Sequence, residues 1–341
     1  MLDKMKLSEY IDKGDYVAVK THFGSEGGHR IVRPIFLRKV VEAVKAVGGK
    51  PFVTDTVRLE GLDYLEVANM EGINHLSVGC PVVLADGIFG KNSQTRKAGK
   101  ILGEIGIASE IYDAHAMVVV THCKGHIQSG YGGAIKNLAM GGIASKNREG
   151  RPERGRVHSV DTQLKWFEDK CELCGDCVDI CDHDALTMSD AIEINHFMCH
   201  KCRRCVEVCE NDALFLPISE DEFQMAMAES AKAVLDTFAK DKTVYLNFLT
   251  EVIPHCDCHP HSDVPVISDQ GIIGGDDIVA IDKASLDIIE GAARAPDSKA
   301  DKLTPEVGLF KGLTGRDPYV HVNYAETLGL GKTDYEMVKL G

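Results

Sequence analysis

The sequence predicts an α/β host built on a mostly parallel sheet, with a small α+β domain inserted in its middle. Three observations carry this. Short β-branched runs alternate with amphipathic helical stretches on both sides of the centre of the chain. Between them lies a cysteine-dense segment that contains two copies of one spacing, offset by 28 residues. The apolar fraction of 44% over 341 residues is enough for a sizeable core and about two domains.

Residues 15–21 (DYVAVKT) read as the first strand. From Pro34 to Val47 the apolar positions Ile35, Leu37, Val40, Val41 and Val44 recur at helical spacing, and Gly48-Gly49 ends the run. A short buried strand follows at 51–54, a helix at 62–70, and strands at 81–84 and 116–121 (AMVVVT). Residues 131–140 read as a helix. Residues 145–156 (SKNREGRPERGR) are basic and punctuated by Gly and Pro, so they read as a surface loop. After the cysteine segment come a helix at 220–240, a strand at 243–249 (TVYLNFL), a strand at 264–268, a Gly-rich turn, and a helix at 276–290. The remainder reads as irregular, with a short helix at 319–327. The division is 1–160 and 218–341 for the host, one discontinuous domain rather than two, with 161–217 as the insertion.

The insertion carries the sharpest chemistry. Its two runs are Cys171-x2-Cys174-x2-Cys177-x3-Cys181 and Cys199-x2-Cys202-x2-Cys205-x3-Cys209. The repeat extends to Val178/Val206, Ala185/Ala213 and Leu186/Leu214. Three thiolates in a tight loop cap three irons of a cube, and the fourth iron takes a thiolate from elsewhere. This is the bacterial ferredoxin spacing for 4Fe-4S clusters, in which the last cysteine of each run serves the other cluster. The spacing thus predicts two clusters, one on Cys171, Cys174, Cys177 and Cys209, the other on Cys199, Cys202, Cys205 and Cys181. The competing readings are weaker. Zinc knuckles pair two Cys-x2-Cys units across a longer gap, and disulfides do not suit a reducing compartment. The usual proline after each fourth cysteine is replaced by Asp182 and Glu210, which brings a carboxylate near each cluster. A unit of ~50 residues has little core, so metal–thiolate bonds are expected to supply much of its folding energy.

The formal net charge is −14, which argues against nucleic-acid or anionic-membrane partners. No apolar run reaches ~18 residues, and the N-terminal stretch has no secretory apolar core. A cytoplasmic location is expected. Besides the eight cysteines of the two runs, the chain has Cys80, Cys123, Cys256 and Cys258, out of 12 in all.

Three strand ends in the host are rich in polar chemistry. Residues 121–142 (THCKGHIQSGYGGAIKNLAMGG) place His122, Cys123, Lys124 and His126 after a strand. Gly130, Gly132 and Gly133 then lead into a helix with Lys136 and Asn137. Ligands of open α/β sheets bind at the carboxyl ends of strands. Glycines admit a close ligand, and a helix N-terminus favours an anion. The alternative is a solvated loop, since no G-x-G-x-x-G is present. The first strand ends in Lys20-Thr21-His22. Residues 255–263 (HCDCHPHSD) crowd Cys256, Cys258, His259 and His261 together, either as an additional metal or cofactor site, as a pocket wall, or as a plain loop. Cys-x-Cys-His is cramped for one tetrahedral ion. Asp277, Asp282 and Lys283 belong either to the site or to a solvated helix face. The candidate catalytic residues are His22, His122, Lys124, His126 and Lys136; the candidate cofactor-binding residues are Gly130, Gly132, Gly133, Lys136 and Asn137.

The segments KTHFGSEGG, GYGGAIKNLAMGG and CDCHPHSDVPVISDQGIIGGDDIVAIDKASLDII, with the double-cluster insertion between them, resemble the iron–sulfur proteins of domain of unknown function 362. The likeness spans most of the chain, in order, and implies the fold without naming a reaction. The turn GYGGAIKNLAMG is similar to a Gly-Gly-x-Lys turn of the nickel-pincer lactate racemases, whose lysine holds a nicotinate-derived nickel cofactor. That resemblance implies a role for Lys136 alone.

Three functions compete. The first is a ferredoxin-linked oxidoreductase that receives electrons from a redox partner protein and passes them to a small anionic substrate or cofactor in the host crevice. The second is a non-enzymatic electron-transfer subunit. The third is a metallocofactor or cluster-assembly protein.

Overall fold

The computed structural model describes residues 1–58, 61–159, 163–181, 184–196, 198–199, 204–216 and 220–340. The strands in chain order are β1 (Tyr16–Lys20), β2 (Lys50–Asp55), β3 (Val82–Leu84), the hairpin β4 (Ser93–Lys97) and β5 (Glu104–Ala108), and β6 (Ala116–His122). Next come a second hairpin, β7 (Lys124–His126) and β8 (Gly130–Gly132), then β9 (Lys165–Trp166), β10 (Leu186–Met188), β11 (Ile192–Ile194), β12 (Leu214–Phe215), β13 (Thr243–Leu249) and β14 (Gly271–Gly275). The central sheet has six strands in the order β14-β13-β6-β1-β2-β3. All neighbours in it are parallel except β13 and β14. It draws strands from both sides of the cysteine segment.

Alternation of side chains along each strand builds two apolar layers. Val17, Val19, Val118, Val120 and Val244 face one side, where they meet Leu37, Val40, Val41 and Val44 of the helix Pro34–Ala46. Pro34 starts that helix at N1, where a missing N–H costs nothing. Ala18, Met117, Val119 and Tyr245 face the other side, against Ile135 and Leu138 of the helix Ala134–Gly141 and Met227, Ala231 and Val234 of the helix Glu220–Leu235. Each such aliphatic side chain contributes about 1.5–3 kcal/mol relative to exposure. β6 is buried along its whole length, as expected of a central parallel strand covered on both faces.

Some expectations need correction. Residues 264–268 form no strand; Ile267 makes only an isolated bridge to Arg294. The strand is the glycine-rich β14 just after it, an antiparallel edge. Gly130 and Gly132 lie in β8, paired with His126 and Lys124, rather than opening the following helix. Residues 145–156 are not simply a surface loop. Glu153 is fully buried and accepts the Gly106 N–H at 3.0 Å. It starts a helix, Glu153–Ser159.

The cysteine segment has short pairings of its own. β9 pairs antiparallel with β12, and β10 with β11. Two four-residue helices, Asp176–Asp179 and Arg204–Glu207, lie between them. Leu164, Leu186, Ile192, Leu214 and Leu216 make its apolar centre, with Cys177 and Cys199 buried among them. No helix among the described residues is long and apolar enough to cross a membrane.

Candidate functional site

At the carboxyl ends of β1, β2 and β6 the sheet opens into a crevice of about 320 Å³. Parallel strands aim their last residues the same way, so Lys20, Asp55 and the segment after His122 arrive together. Among the described residues, Lys20, Arg58, Lys124, Lys136, Arg154 and Arg204 line the crevice against Glu26 and Asp55 as the acids. In a chain with a net charge of −14, this is a local inversion of sign.

Lys20 and Asp55 form the buried floor, each 1% exposed, with Nζ 3.0 Å from Oδ1. Lys20 also donates to Asn137 Oδ1 at 2.5 Å and to the Thr21 carbonyl at 3.1 Å. Burial pushes the Lys20 ammonium down to about 8, although Asp55 opposes it. Burial alone would raise Asp55, but Lys20 and His22 outweigh it and hold the carboxyl well below the usual range. Gly141 makes this packing possible: a Cβ there would fall 2.5 Å from both Asp55 Oδ1 and Lys20 Nζ. Asp55 Oδ2 also accepts Tyr64 Oη at 2.6 Å and lies 3.0 Å from His22 Nδ1. Burial lowers the His22 pKa, so the ring is neutral at pH 7. With Nδ1–H donated to Asp55, His22 Nε2 is a buried nitrogen with no partner.

The second group follows β6. Asp257 binds His122 Nδ1 at 2.9 Å and Lys124 Nζ at 2.8 Å. His122 Nε2 lies 3.0 Å from the Thr250 carbonyl. His126 Nδ1 accepts the Ser129 N–H at 3.2 Å, which places the ring proton on Nε2. Burial and the nearby Lys136 push His126 down to about 3. Lys136 donates to Cys256 Sγ at 2.9 Å.

The structure therefore gathers His22, Lys124, His126, Lys136, Asn137, Cys258 and His259 around one crevice. It leaves others behind. His122 is spent on Asp257 and the Thr250 carbonyl. Cys256 lies behind Lys136, and His261 and Cys123 do not line the crevice. Gly130, Gly132 and Gly133 are also absent from its wall. Gly133 is needed because a Cβ would strike Asp282 Oδ1 at 2.3 Å. Asp282 accepts the Ala134 and Ile135 N–H groups at 2.7 and 2.8 Å, so the helix N-terminus expected to meet an anion already holds a carboxylate. Asp277 caps the helix Ile278–Gly291, and Lys283 pairs with Asp287 at 2.6 Å. The His255, His259 and His261 rings sit 5.7–6.0 Å apart. Among the described residues no three His, Cys, Asp or Glu side chains converge to hold a metal ion.

The sequence reading missed Asp55, Arg58, Arg154 and Arg204. The Asp55 signal was available, since it ends a buried strand beside the one ending in Lys20. Arg58 follows β2, Arg154 lies in the helix Glu153–Ser159 and Arg204 in the cysteine segment, and their meeting is not local information.

In the cysteine segment, Cys171, Cys174, Cys177 and Cys209 line a separate cavity of about 90 Å³ together with Trp166 and Glu210. Cys209 Sγ accepts the Ala213 N–H at 3.2 Å. Cys181, Cys199 and Cys205 pack at the same apolar centre. Cys202 and Asp182 lie outside the described residues.

An open, mostly parallel sheet with a cationic crevice at its strand ends defines a mixed α/β protein. The chain belongs to the family described as "Domain of unknown function (DUF362)", which it matches over residues 17–287. No curated protein matches it. Among solved structures it is similar to the lactate racemase apoprotein from Thermoanaerobacterium thermosaccharolyticum, at 14% identity and a TM-score of 0.33. That alignment covers 72% of this chain and 45% of the other, so the chain spans under half the length of that protein.

One consequence of the crevice is testable with inorganic pyrophosphate as an anionic probe. Above pH 8 Lys20 loses its proton while Asp55 stays charged, so the crevice loses one positive charge. Pyrophosphate affinity, measured by calorimetry, is expected to fall roughly tenfold between pH 7 and 9, which is about 1.4 kcal/mol. Constant affinity across that range would remove Lys20 from the ligand's field.

Proposed function

We propose that the chain is an iron–sulfur redox protein whose crevice takes a small anionic substrate or cofactor. Cys171, Cys174, Cys177 and Cys209 would hold one 4Fe-4S cluster, and Cys199, Cys202, Cys205 and Cys181 the other; each cluster supplies one-electron chemistry when bound. The observation that supports this best is the shared cavity of Cys171, Cys174, Cys177 and Cys209. Three of these come from the first run and the fourth from the end of the second, which is the crossed pattern of two-cluster modules. A cube also spreads its thiolates farther apart than a single ion does, which suits a cavity between them.

The crevice supports a redox enzyme over a simple carrier. Arg204, immediately before Cys205, is part of its wall, so the cysteine segment borders the ligand space. Within that space the cations would orient the anion, and neutral His22 would present Nε2 as a proton acceptor held by Asp55. Electrons would come from a redox partner protein. Anaerobically purified protein is expected to contain about eight irons and about eight acid-labile sulfides per chain. Zinc without sulfide would overturn the reading. A full cluster complement with no anion bound at the crevice would favour the electron-transfer subunit instead.

A further inference from the structure

We propose that Cys258 in the crevice wall and Cys256 behind it are a redox-active thiol pair, and that closing them to a disulfide releases Lys136 to bind the anionic ligand. The pair is already assembled. The Cys258 N–H donates to Cys256 Sγ at 3.4 Å, which holds the two cysteines against each other. Cys256 is 1% exposed and receives the Lys136 ammonium at 2.9 Å. Cys258 is half-buried and lines the crevice, where a reagent can meet it. Its carbonyl is clamped by Arg58 and by Ser25 Oγ, so the loop is held in place. The hydrogen bond from Cys258, with Lys136 adding to it, holds Cys256 well below an ordinary thiol. Cys123 is the contrast: it is buried with Tyr131, and burial pushes its thiol up to about 12, the mark of an inert cysteine.

The exchange balances with a low-molecular-weight disulfide as oxidant. One proton is shared by the pair, as Cys256 thiolate and Cys258 thiol. Cys258 hands its proton to Cys256 and, as the thiolate, attacks the reagent's S–S bond; the thiolate expelled takes that proton from Cys256. Cys256 thiolate then attacks Cys258 sulfur in the mixed disulfide. The second thiolate leaves and is protonated from water. Two electrons pass from the pair to the reagent, and a dithiol reverses the reaction.

In the reduced pair Lys136 is neutralised by the Cys256 thiolate. In the disulfide that negative charge is gone, and the ammonium is free for a ligand in the crevice that it already lines. Oxidation should therefore strengthen anion binding. By linkage, the anion should favour the disulfide by the same factor. The ligand part rests on the crevice reading above, and the thiol pair does not depend on the clusters.

The test equilibrates anaerobic full-length protein with mixtures of reduced and oxidised glutathione, alkylates it with iodoacetamide, and maps the peptide containing both cysteines. Iron and sulfide are assayed in parallel, so that failure of the cluster reading shows there and failure of this one in the map. The two labels are expected to vanish together with a two-electron dependence on the glutathione ratio. Lys136→Gln should shift the balance toward the disulfide about tenfold, because a charge-assisted hydrogen bond to the thiolate is lost. In the unsubstituted protein, inorganic pyrophosphate should bind the disulfide form about tenfold more tightly, the same loss read from the other side. Retention of both labels at every ratio would overturn the proposal. So would single glutathione adducts, a bridge to Cys80 or Cys123, or pyrophosphate binding that ignores the oxidation state.

Discussion

Cys209→Ala is expected to remove about half of the iron and the electron paramagnetic resonance signal of one reduced cluster, leaving the other. The affected cluster should be the one capped by Cys171, Cys174 and Cys177, because all four line one cavity. Nearness in sequence would predict the opposite, since Cys209 follows Cys199 and Cys205. The paired variant Cys181→Ala should spare that cluster and damage the other. Iron content and spectra of the two variants decide the matter. A full complement in Cys209→Ala would refute the crossed assignment. Loss of both clusters in each variant would show instead that the unit folds only when fully loaded.

Asp55→Ala should be among the most damaging substitutions in the host, at about 3–5 kcal/mol of stability. Asp55 is the counter-charge of Lys20, which is 1% exposed. It also accepts the Thr56 N–H at 2.9 Å and orients His22 and Tyr64. Alanine would leave a buried ammonium and several donors unsatisfied. The double variant Lys20→Met/Asp55→Leu should recover much of the loss, since a buried pair replaced by apolar groups of similar size is often nearly neutral. Urea denaturation at pH 7 reads both. The sign with pH follows from the Asp55 carboxyl lying well below its ordinary value. The folded state binds fewer protons there than the unfolded state. The contribution is therefore complete at neutral pH and is lost as pH falls below the unfolded value of about 4. A midpoint for Asp55→Ala within error of the unsubstituted protein would mean that the pair contributes nothing.

The host fold was legible where its central strands are buried and its helices half-buried. β6 and β13 are continuous apolar runs, and the helix Pro34–Ala46 shows its period openly. β14 was missed because GIIGG looks like a turn; it is an edge strand, with one ladder and weaker demands on side chains. The hairpin of β4 and β5 was missed because residues 93–97 are nearly all polar. In the site, strand ends were readable and partners were not. Nothing local says that Asp282, far along the chain, closes the helix bearing Lys136, or that Arg154 and Arg204 face the same crevice. In the sequence, Asp282 reads either as part of a solvated helix face or as a site residue. It is completely buried, and burial raises its carboxyl to about 6.

The pairing of β9 with β12 bears on how such a chain can be assembled. β6 and β13 are neighbours in the sheet, yet everything from residue 123 to 242 is threaded between them. The Leu214–Trp166 register brings the two ends of the cysteine segment side by side. To the rest of the polypeptide, that segment is a closed excursion whose entrance and exit nearly coincide. Each doubling of a flexible loop costs only about 0.6 kcal/mol of closure entropy. The detour is therefore thermodynamically inexpensive for the sheet. Its burden is one of timing, because β6 cannot meet β13 until the ribosome has delivered the whole excursion, and a segment that stays open lengthens the search.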